Sequence, residues 1–235
     1  MNILILLLLS HLIGDFYFQP TSWIIDKESR KLASPWLYAH VFIHIGLILL
    51  FSFGMLWRQA LVTGIAHLII DGSKLSFQND KNKRNWFFID QCLHIIVTIC
   101  IFMNTNNLLD LPIDYFFNIN TWWIIIGTLF LAKPCSVITK VIITKWTPAQ
   151  GDDESALENA GQYIGILERL LVYTFVLNNH WEAIGFLLAA KSIFRFGNLK
   201  DAQDRKLTEY VLIGTLLSFG IALVVGMFLS KIISV

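Results

Sequence analysis

The chain has 235 residues, of which 55% are hydrophobic and only 15% are charged, and its mean hydropathy is +0.61. A soluble domain carries about 25% charged residues, so this composition excludes an ordinary soluble globular protein. It predicts an integral membrane protein with membrane lipids as partners. The formal net charge of +1, with no separate basic region, predicts that nucleic acid is not a partner.

Long apolar runs predict an all-α, polytopic bundle of about eight transmembrane helices, because a spanning helix needs roughly 20 mostly apolar residues. Residues 1–105 would form a first half and residues 106–235 a second half of one membrane domain. The first run has no preceding Lys or Arg and no small-residue cleavage site, which favours a retained helix over a signal peptide. The predicted spans are 2–19, 36–56, 59–77, 86–103, 121–143, 161–178, 181–196 and 209–232.

The lysines and arginines predict how the helices are oriented. All but two of the 18 fall in or beside connections on one side of the predicted bundle, and the exceptions are Arg58 and Lys231. Because basic connections tend to stay in the cytoplasm, we expect both termini on the non-cytoplasmic side. A homo-oligomer is left open.

The first four predicted helices each carry a pair of polar residues at the same spacing. Residues four apart lie one turn apart on one face of a helix, so each pair can direct two side chains at one point. Helix direction places all four pairs at a similar depth, in the cytoplasmic leaflet. The pairs are His11 and Asp15, His40 and His44, His67 and Asp71, and Asp90 and His94.

Polar groups inside a bilayer are functional by default, and imidazole with carboxylate indicates a divalent metal, most of all zinc, with iron or manganese open. Eight candidates exceed one tetrahedral shell, so either two ions bind or several residues orient the ligands. Asp15, Asp71 and Asp90 can complete the shell or act as catalytic bases. The alternatives are hydrogen bonds that only join helices and a metal-free proton relay. The sixth histidine, His180, is predicted to lie at the opposite membrane interface.

In the second half, Glu168, Arg169, Lys191, Arg195 and Glu209 are predicted to lie at the level of the histidines. Lys191 and Arg195 share a helix face because they are four residues apart. The functional interpretation is a substrate-binding site for an anionic group, such as a lipid phosphate or a carboxylate. The alternative is that long basic side chains simply reach for the membrane interface.

The four pairs, with the stretches HLIGDFYFQ at 11–19 and DQCLH at 90–94, resemble an uncharacterised bacterial family of polytopic membrane proteins with a domain of unknown function. The stretches IGILER at 164–169 and AAKSIFRFG at 189–197 resemble full-length members. This resemblance implies a bacterial cytoplasmic (inner) membrane. More distantly, the helix pattern is similar to membrane-bound metal-dependent hydrolases, which implies hydrolysis.

We therefore predict an intramembrane metal-dependent hydrolase whose lipid or membrane-embedded substrate enters from the cytoplasmic leaflet. The alternatives are a transporter or channel for protons or a divalent ion, and a non-catalytic sensory or binding protein with a structural metal site. A structural site is closed, whereas a hydrolase keeps an open coordination position. Transporters more often have broken helices and related halves, and the absence of a visible internal repeat in the sequence favours the enzyme.

Overall fold

The structure is a computed structural model that describes residues 3–105, 118–144, 155–193 and 202–233. These residues form helices and turns and no β-strand, as predicted. The chain divides into two compact units, unit 1 (Met1–Trp122) and unit 2 (Trp123–Val235). In chain order the helices are α1 (Ile3–Leu12), α2 (Thr21–Arg30), α3 (Pro35–Phe51), α4 (Trp57–Phe77), α5 (Lys83–Met103), α6 (Ile119–Ile143), α7 (Ser155–Leu177), α8 (Trp181–Ile193) and α9 (Ala202–Ile233).

Helices long and apolar enough to cross a membrane support four of the eight predicted spans. They are Trp57–Phe77, Lys83–Met103, Ile119–Ile143 and Glu209–Ile233. The other predicted spans are also helical, but α3 has only 17 residues and the described part of α8 only 13. A membrane protein is therefore indicated, while eight spans and the side on which the termini lie remain predictions.

The first predicted span, 2–19, is helical over Ile3–Tyr17 and forms a broken element with the helix that follows it. α1 continues into a five-residue π-helix, Ile13–Tyr17, and the chain then bends by 83° into α2. Pro20 is the N-cap of α2, and it marks the break because proline has no backbone N–H and disfavours helix in the residue before it. α2 is amphipathic, since Ile25 is exposed and Lys27 is its one buried residue.

In unit 1, α4 packs against α3 and α5, and α1 also packs against α3 and α5. Pro35 begins α3, a position where its missing N–H costs no hydrogen bond. The tight turn between α3 and α4 contains Gly54 at φ +79°, a conformation that glycine adopts without strain. The short turns between α3 and α4 and between α4 and α5 reverse the chain, so residues 18–34 and 78–82 lie at one end, here called the basic end.

In unit 2, apolar side chains of α6, α7 and α9 form a core that includes Leu131 and Phe219. Pro134 lies inside α6, where it cannot donate a hydrogen bond to the preceding turn. The buried guanidinium of Arg169 donates to the carbonyl oxygens of Leu131 and Ala132 at 2.7 and 3.2 Å. Arg169 therefore links α7 to the carbonyl oxygens of α6 in the turn that precedes the proline.

Candidate metal centre

Unit 1 brings all four predicted pairs into one cluster. Its histidines, Asp71 and Asp90 are buried, and the side chain of Asp15 is only 9% exposed. Because the helices alternate in direction, the pairs form two layers. The layer nearer the basic end holds Asp15, His40, Asp71 and Asp90, and the deeper layer holds His11, His44, His67 and His94.

The Asp15 carboxylate lies at the centre of the cluster. Its Oδ1 atom is 3.0 Å from Nε2 of His44 and 3.1 Å from Nε2 of His67. Nε2 of His40 lies 3.3 Å from the same oxygen and Nδ1 of His11 lies 3.9 Å from it. His11, Asp15, His44 and His67 each offer one ligand atom, and these four atoms lie within 4.8 Å of one another.

These distances suit a tetrahedral metal site. With metal–ligand bonds of about 2.0–2.1 Å, tetrahedral ligand atoms are roughly 3.4 Å apart, which is close to the separations around Asp15. One carboxylate oxygen has two lone pairs and cannot accept a full hydrogen bond from each of three imidazoles. A cation among these atoms removes the conflict, because the nitrogens then offer lone pairs rather than protons.

The backbone around Asp15 makes room for the imidazoles. Gly14 is buried in the π-helix, and a Cβ atom at this position would overlap the ring of His44. π-Helical turns are frequent at functional sites. Gln91 donates to Oδ2 of Asp15 at 2.9 Å, which leaves Oδ1 to the histidines. Both features orient Asp15 and His44 toward each other.

Two lysines form ion pairs with the other two carboxylates of the cluster. Nζ of Lys27 lies 3.1 Å from Oδ2 of Asp71, and Nζ of Lys74 lies 3.0 Å from Oδ2 of Asp90. The sequence analysis missed both lysines as members of the site. Lys74 could have been found, because it lies three residues after Asp71 on the same helix face. Lys27 could not, since it reaches the cluster only because α2 folds back.

The charges of the cluster limit the number of ions that it can hold. Three carboxylates and the ammonium groups of Lys27 and Lys74 give a net charge of −1. One divalent ion would change the net charge to +1. A second divalent ion would change it to +3, which is costly where water is excluded. With both lysines in place, the cluster favours one ion.

Several buried polar atoms of the cluster have no hydrogen-bond partner among the described residues: Nε2 of His11, Nδ1 of His40, Oδ1 of Asp90 and Nε2 of His94. Folded proteins rarely leave such atoms unpaired. Nδ1 of His94 lies 2.9 Å from the backbone carbonyl oxygen of Asp90. Because a carbonyl only accepts, Nδ1 carries the proton, and Nε2 has the bare lone pair that binds a metal.

A small cavity lies one helical turn deeper than the deep histidines. Its volume is about 10 Å³, about the least space that one water molecule needs. His11, His94 and Thr63 line it, and each has a buried atom without a hydrogen-bond partner among the described residues. In this conformation the cavity admits a water molecule but no substrate-sized group.

The structure places the predicted substrate-binding residues of unit 2 in different surroundings. Glu168 pairs with Lys191, whereas Glu209 is exposed on α9. Arg195 lies outside the described residues. For these four residues a contact with substrate remains a prediction.

Arg169 differs from these four residues because its N–H groups already donate hydrogen bonds within unit 2. Besides two backbone carbonyl groups, its guanidinium donates to the hydroxyl groups of Ser136 and Ser218. Four of its five N–H groups are thus satisfied within unit 2. These bonds favour a role in joining α6, α7 and α9 over the predicted substrate contact.

The chain belongs to the family described as "Protein of unknown function (DUF3307)", which matches residues 3–124. The matched residues include α1 to α5 and every histidine and aspartate of the cluster. The predicted resemblance is confirmed as membership of a family of unknown function, while a bacterial origin and a likeness to hydrolases remain predictions. No curated protein and no solved structure matches the chain.

Proposed function

We propose that this family member is an intramembrane metal-dependent hydrolase in which Asp15, His44 and His67 would hold one divalent ion, zinc before iron or manganese, with the fourth tetrahedral position open to water and His11 beside it. The observation that carries the proposal is the approach of the Nε2 atoms of His44 and His67 to 3.0 and 3.1 Å from one carboxylate oxygen of Asp15. These ligands suit such metals, and hydrogen bonds alone leave their lone pairs unmatched.

A metal of this kind makes a bound water nucleophilic at neutral pH. Asp90 suits the role of proton acceptor, because its buried Oδ1 atom has no hydrogen-bond partner among the described residues. The water would add to the carbonyl carbon or phosphorus of an ester, amide or phosphoester. Its proton would pass through Asp90 to the leaving alcohol or amine as the bond to that group breaks.

The substrate would reach the cluster from the basic end, since the deep cavity takes only water. α2 lies at this end. Its one buried residue, Lys27, points into the cluster, and its exposed face carries apolar residues such as Ile24 and Ile25. An amphipathic helix of this kind suits a membrane interface. We therefore propose a lipid or membrane-embedded substrate, which enters from the cytoplasmic leaflet if basic connections mark the cytoplasmic side.

A proton- or divalent-ion-coupled transporter is the second candidate. The observation that favours it is the broken element of α1 and α2, with its bend of 83° beside Asp15. Transporters commonly build their ion sites at discontinuous helices. The ion pairs of Lys27 with Asp71 and of Lys74 with Asp90 also give such a protein groups that can exchange a cation.

Elemental analysis of the purified protein, before and after loading with Zn²⁺, tests the metal site. We expect one ion per chain, a loss of more than nine-tenths of it in His67→Ala, and full retention in His180→Ala. His180 is an exposed histidine that pairs with Glu182, so its variant controls for the loss of an imidazole as such. A wild-type chain that binds no metal after loading would overturn the proposal.

Turnover is tested separately by offering phospholipids, lipid esters and lipid amides to the zinc-loaded protein. We expect Asp90→Asn to keep the ion but to lose at least about 100-fold in rate, the usual contribution of a general base. Zinc or proton flux across vesicles that contain the protein, with no hydrolysis of any lipid class, would replace the hydrolase by the transporter.

A further inference from the structure

We propose that unit 1 contains a second cation position at Asp71, which the ammonium group of Lys27 fills and which accepts a second divalent metal ion once that group is removed. The inference rests on the proposed metal function, which concerns the first position at Asp15. Lys27 is then the residue that limits the cluster to one ion.

The surroundings of Asp71 resemble those of Asp15. Nε2 of His40 lies 3.8 Å from Oδ2 of Asp71, and Nε2 of His94 lies 3.9 Å from its Oδ1. His40, His67 and Asp71 also offer ligand atoms within 4.8 Å of one another. All of these side chains around Asp71 are buried, so the position has imidazole and carboxylate donors with little access for water.

The orientation of His94 indicates a positive charge beside Asp71. Its Nδ1 atom donates to the backbone carbonyl of Asp90, so its Nε2 atom carries a bare lone pair. This atom is buried, has no hydrogen-bond partner among the described residues and faces the Asp71 carboxylate. Two atoms with lone pairs repel each other in a region of low dielectric unless a cation lies near both.

Lys27 supplies that charge from outside the four helices that carry the histidines. Its Nζ atom lies 3.1 Å from Oδ2 of Asp71, and it is the one buried residue of α2. An ammonium group only donates protons and cannot coordinate. It therefore neutralises Asp71 but leaves Nε2 of His94 unpaired, whereas a metal ion at the same position can bind both.

The donors of the cluster suffice for two ions without a shared histidine. A neutral imidazole binds one metal through its single free lone pair. His44 and His67 are the proposed ligands beside Asp15. Nε2 of His40 lies between the two carboxylates, 3.3 Å from Oδ1 of Asp15 and 3.8 Å from Oδ2 of Asp71, and with His94 it supplies the imidazoles of the second position. Without the charge of Lys27, three carboxylates and Lys74 give −2, so two divalent ions would bring the cluster to +2 rather than +3.

Zinc titration of the purified full-length chain, with the bound metal counted by elemental analysis, tests this inference. We expect one ion per wild-type chain and two per Lys27→Met chain, because methionine keeps much of the side-chain length and removes the charge. Lys27→Arg is expected to stay at one. Lys83→Met is the matched control, because Lys83 on α5 pairs with Glu28, which lies next to Lys27 on α2. This variant is also expected to bind one ion per chain.

The possible outcomes separate this inference from the proposed function. One ion in Lys27→Met overturns the second position and leaves the first intact, whereas no ion in the wild type overturns both. The double variant Lys27→Met with Asp71→Asn is expected to return to one ion, and two ions there would overturn the assignment to Asp71. If Lys27→Met does not fold, the same titration with Lys27→Gln decides.

Discussion

Both units bury polar groups among apolar helices, but they do so in opposite ways. In unit 2, the guanidinium of Arg169 finds acceptors for four of its five N–H groups, among them the carbonyl oxygens of Leu131 and Ala132. In unit 1, nitrogen and oxygen atoms with lone pairs crowd around Asp15, and Nε2 of both His11 and His94 lacks a hydrogen-bond partner among the described residues.

The difference separates a structural role from a ligand-binding role. A buried polar group whose hydrogen bonds are complete stabilises the fold and has little capacity left for a ligand. A cluster with more acceptors than protons is costly by itself and is completed by a cation. Substitutions in unit 1 should therefore change metal affinity, whereas substitutions in unit 2 should change the free energy of unfolding.

The largest effect is expected for Asp15→Asn, which keeps the shape of the side chain and removes its charge. A four-ligand zinc site binds with about 10–16 kcal/mol, so one ligand contributes roughly 3 kcal/mol, and the affinity for Zn²⁺ should fall by roughly 100- to 1,000-fold. Competition with a chromophoric chelator measures it. Asp80→Asn, at an exposed carboxylate in the turn before α5, should leave the affinity unchanged. Equal affinities in the two variants would contradict a site at Asp15.

The next largest effect is expected in unit 2, on the free energy of unfolding, and the affinity for the metal should not change. Arg169→Met removes the donors from buried acceptors, and an unsatisfied buried group costs about 1–3 kcal/mol, so the free energy of unfolding should fall by roughly 2–4 kcal/mol. Denaturant titration in detergent measures it, with Lys231→Met, at an exposed lysine of α9, as the control. A variant of normal stability that instead loses a lipid substrate would restore Arg169 to the predicted anion site.

The same contrast shows what the sequence can and cannot predict. The spacing of His67 and Asp71 puts both on one helix face, and chain direction puts the four pairs at one depth, so the core of the cluster was predictable from local rules. Neither rule predicts that Lys27 belongs to the cluster, because its position depends on the break at Pro20. The partners of Arg169 come from other helices, and spacing within α7 cannot identify them.

The end of the first predicted span shows the same limit. Apolar residues continue to Phe18, so composition predicts a span over 2–19, and helix is found over Ile3–Tyr17. The π-helical turn at its end brings Gly14 against the ring of His44, a contact between helices that the local sequence does not predict.

Gly14→Ala should have a smaller effect than the loss of a ligand. The added methyl group would overlap the His44 ring, so His44 must shift, and displacing a ligand from its orientation typically costs 10- to 100-fold in metal affinity. Gly46→Ala is the matched control on α3, because nothing lies within 4 Å of a Cβ atom built there. An unchanged affinity in Gly14→Ala would show that His44 is not a ligand, although Asp15 could still be one.

The smallest effect is expected for Thr63→Val, which removes one hydroxyl group from the water-sized cavity. If a water molecule joins Thr63 to His11, losing one of its hydrogen bonds costs about 1 kcal/mol, and the zinc affinity should fall about two- to fivefold as His11 becomes less well oriented. Thr128→Val is the control, because that hydroxyl donates to the carbonyl oxygen of Ile124 in its own helix, α6, and does not line the cavity. Equal affinities in the two variants would mean that no water joins Thr63 to the metal site, and the unpaired atoms of unit 1 would then be explained by the cation alone.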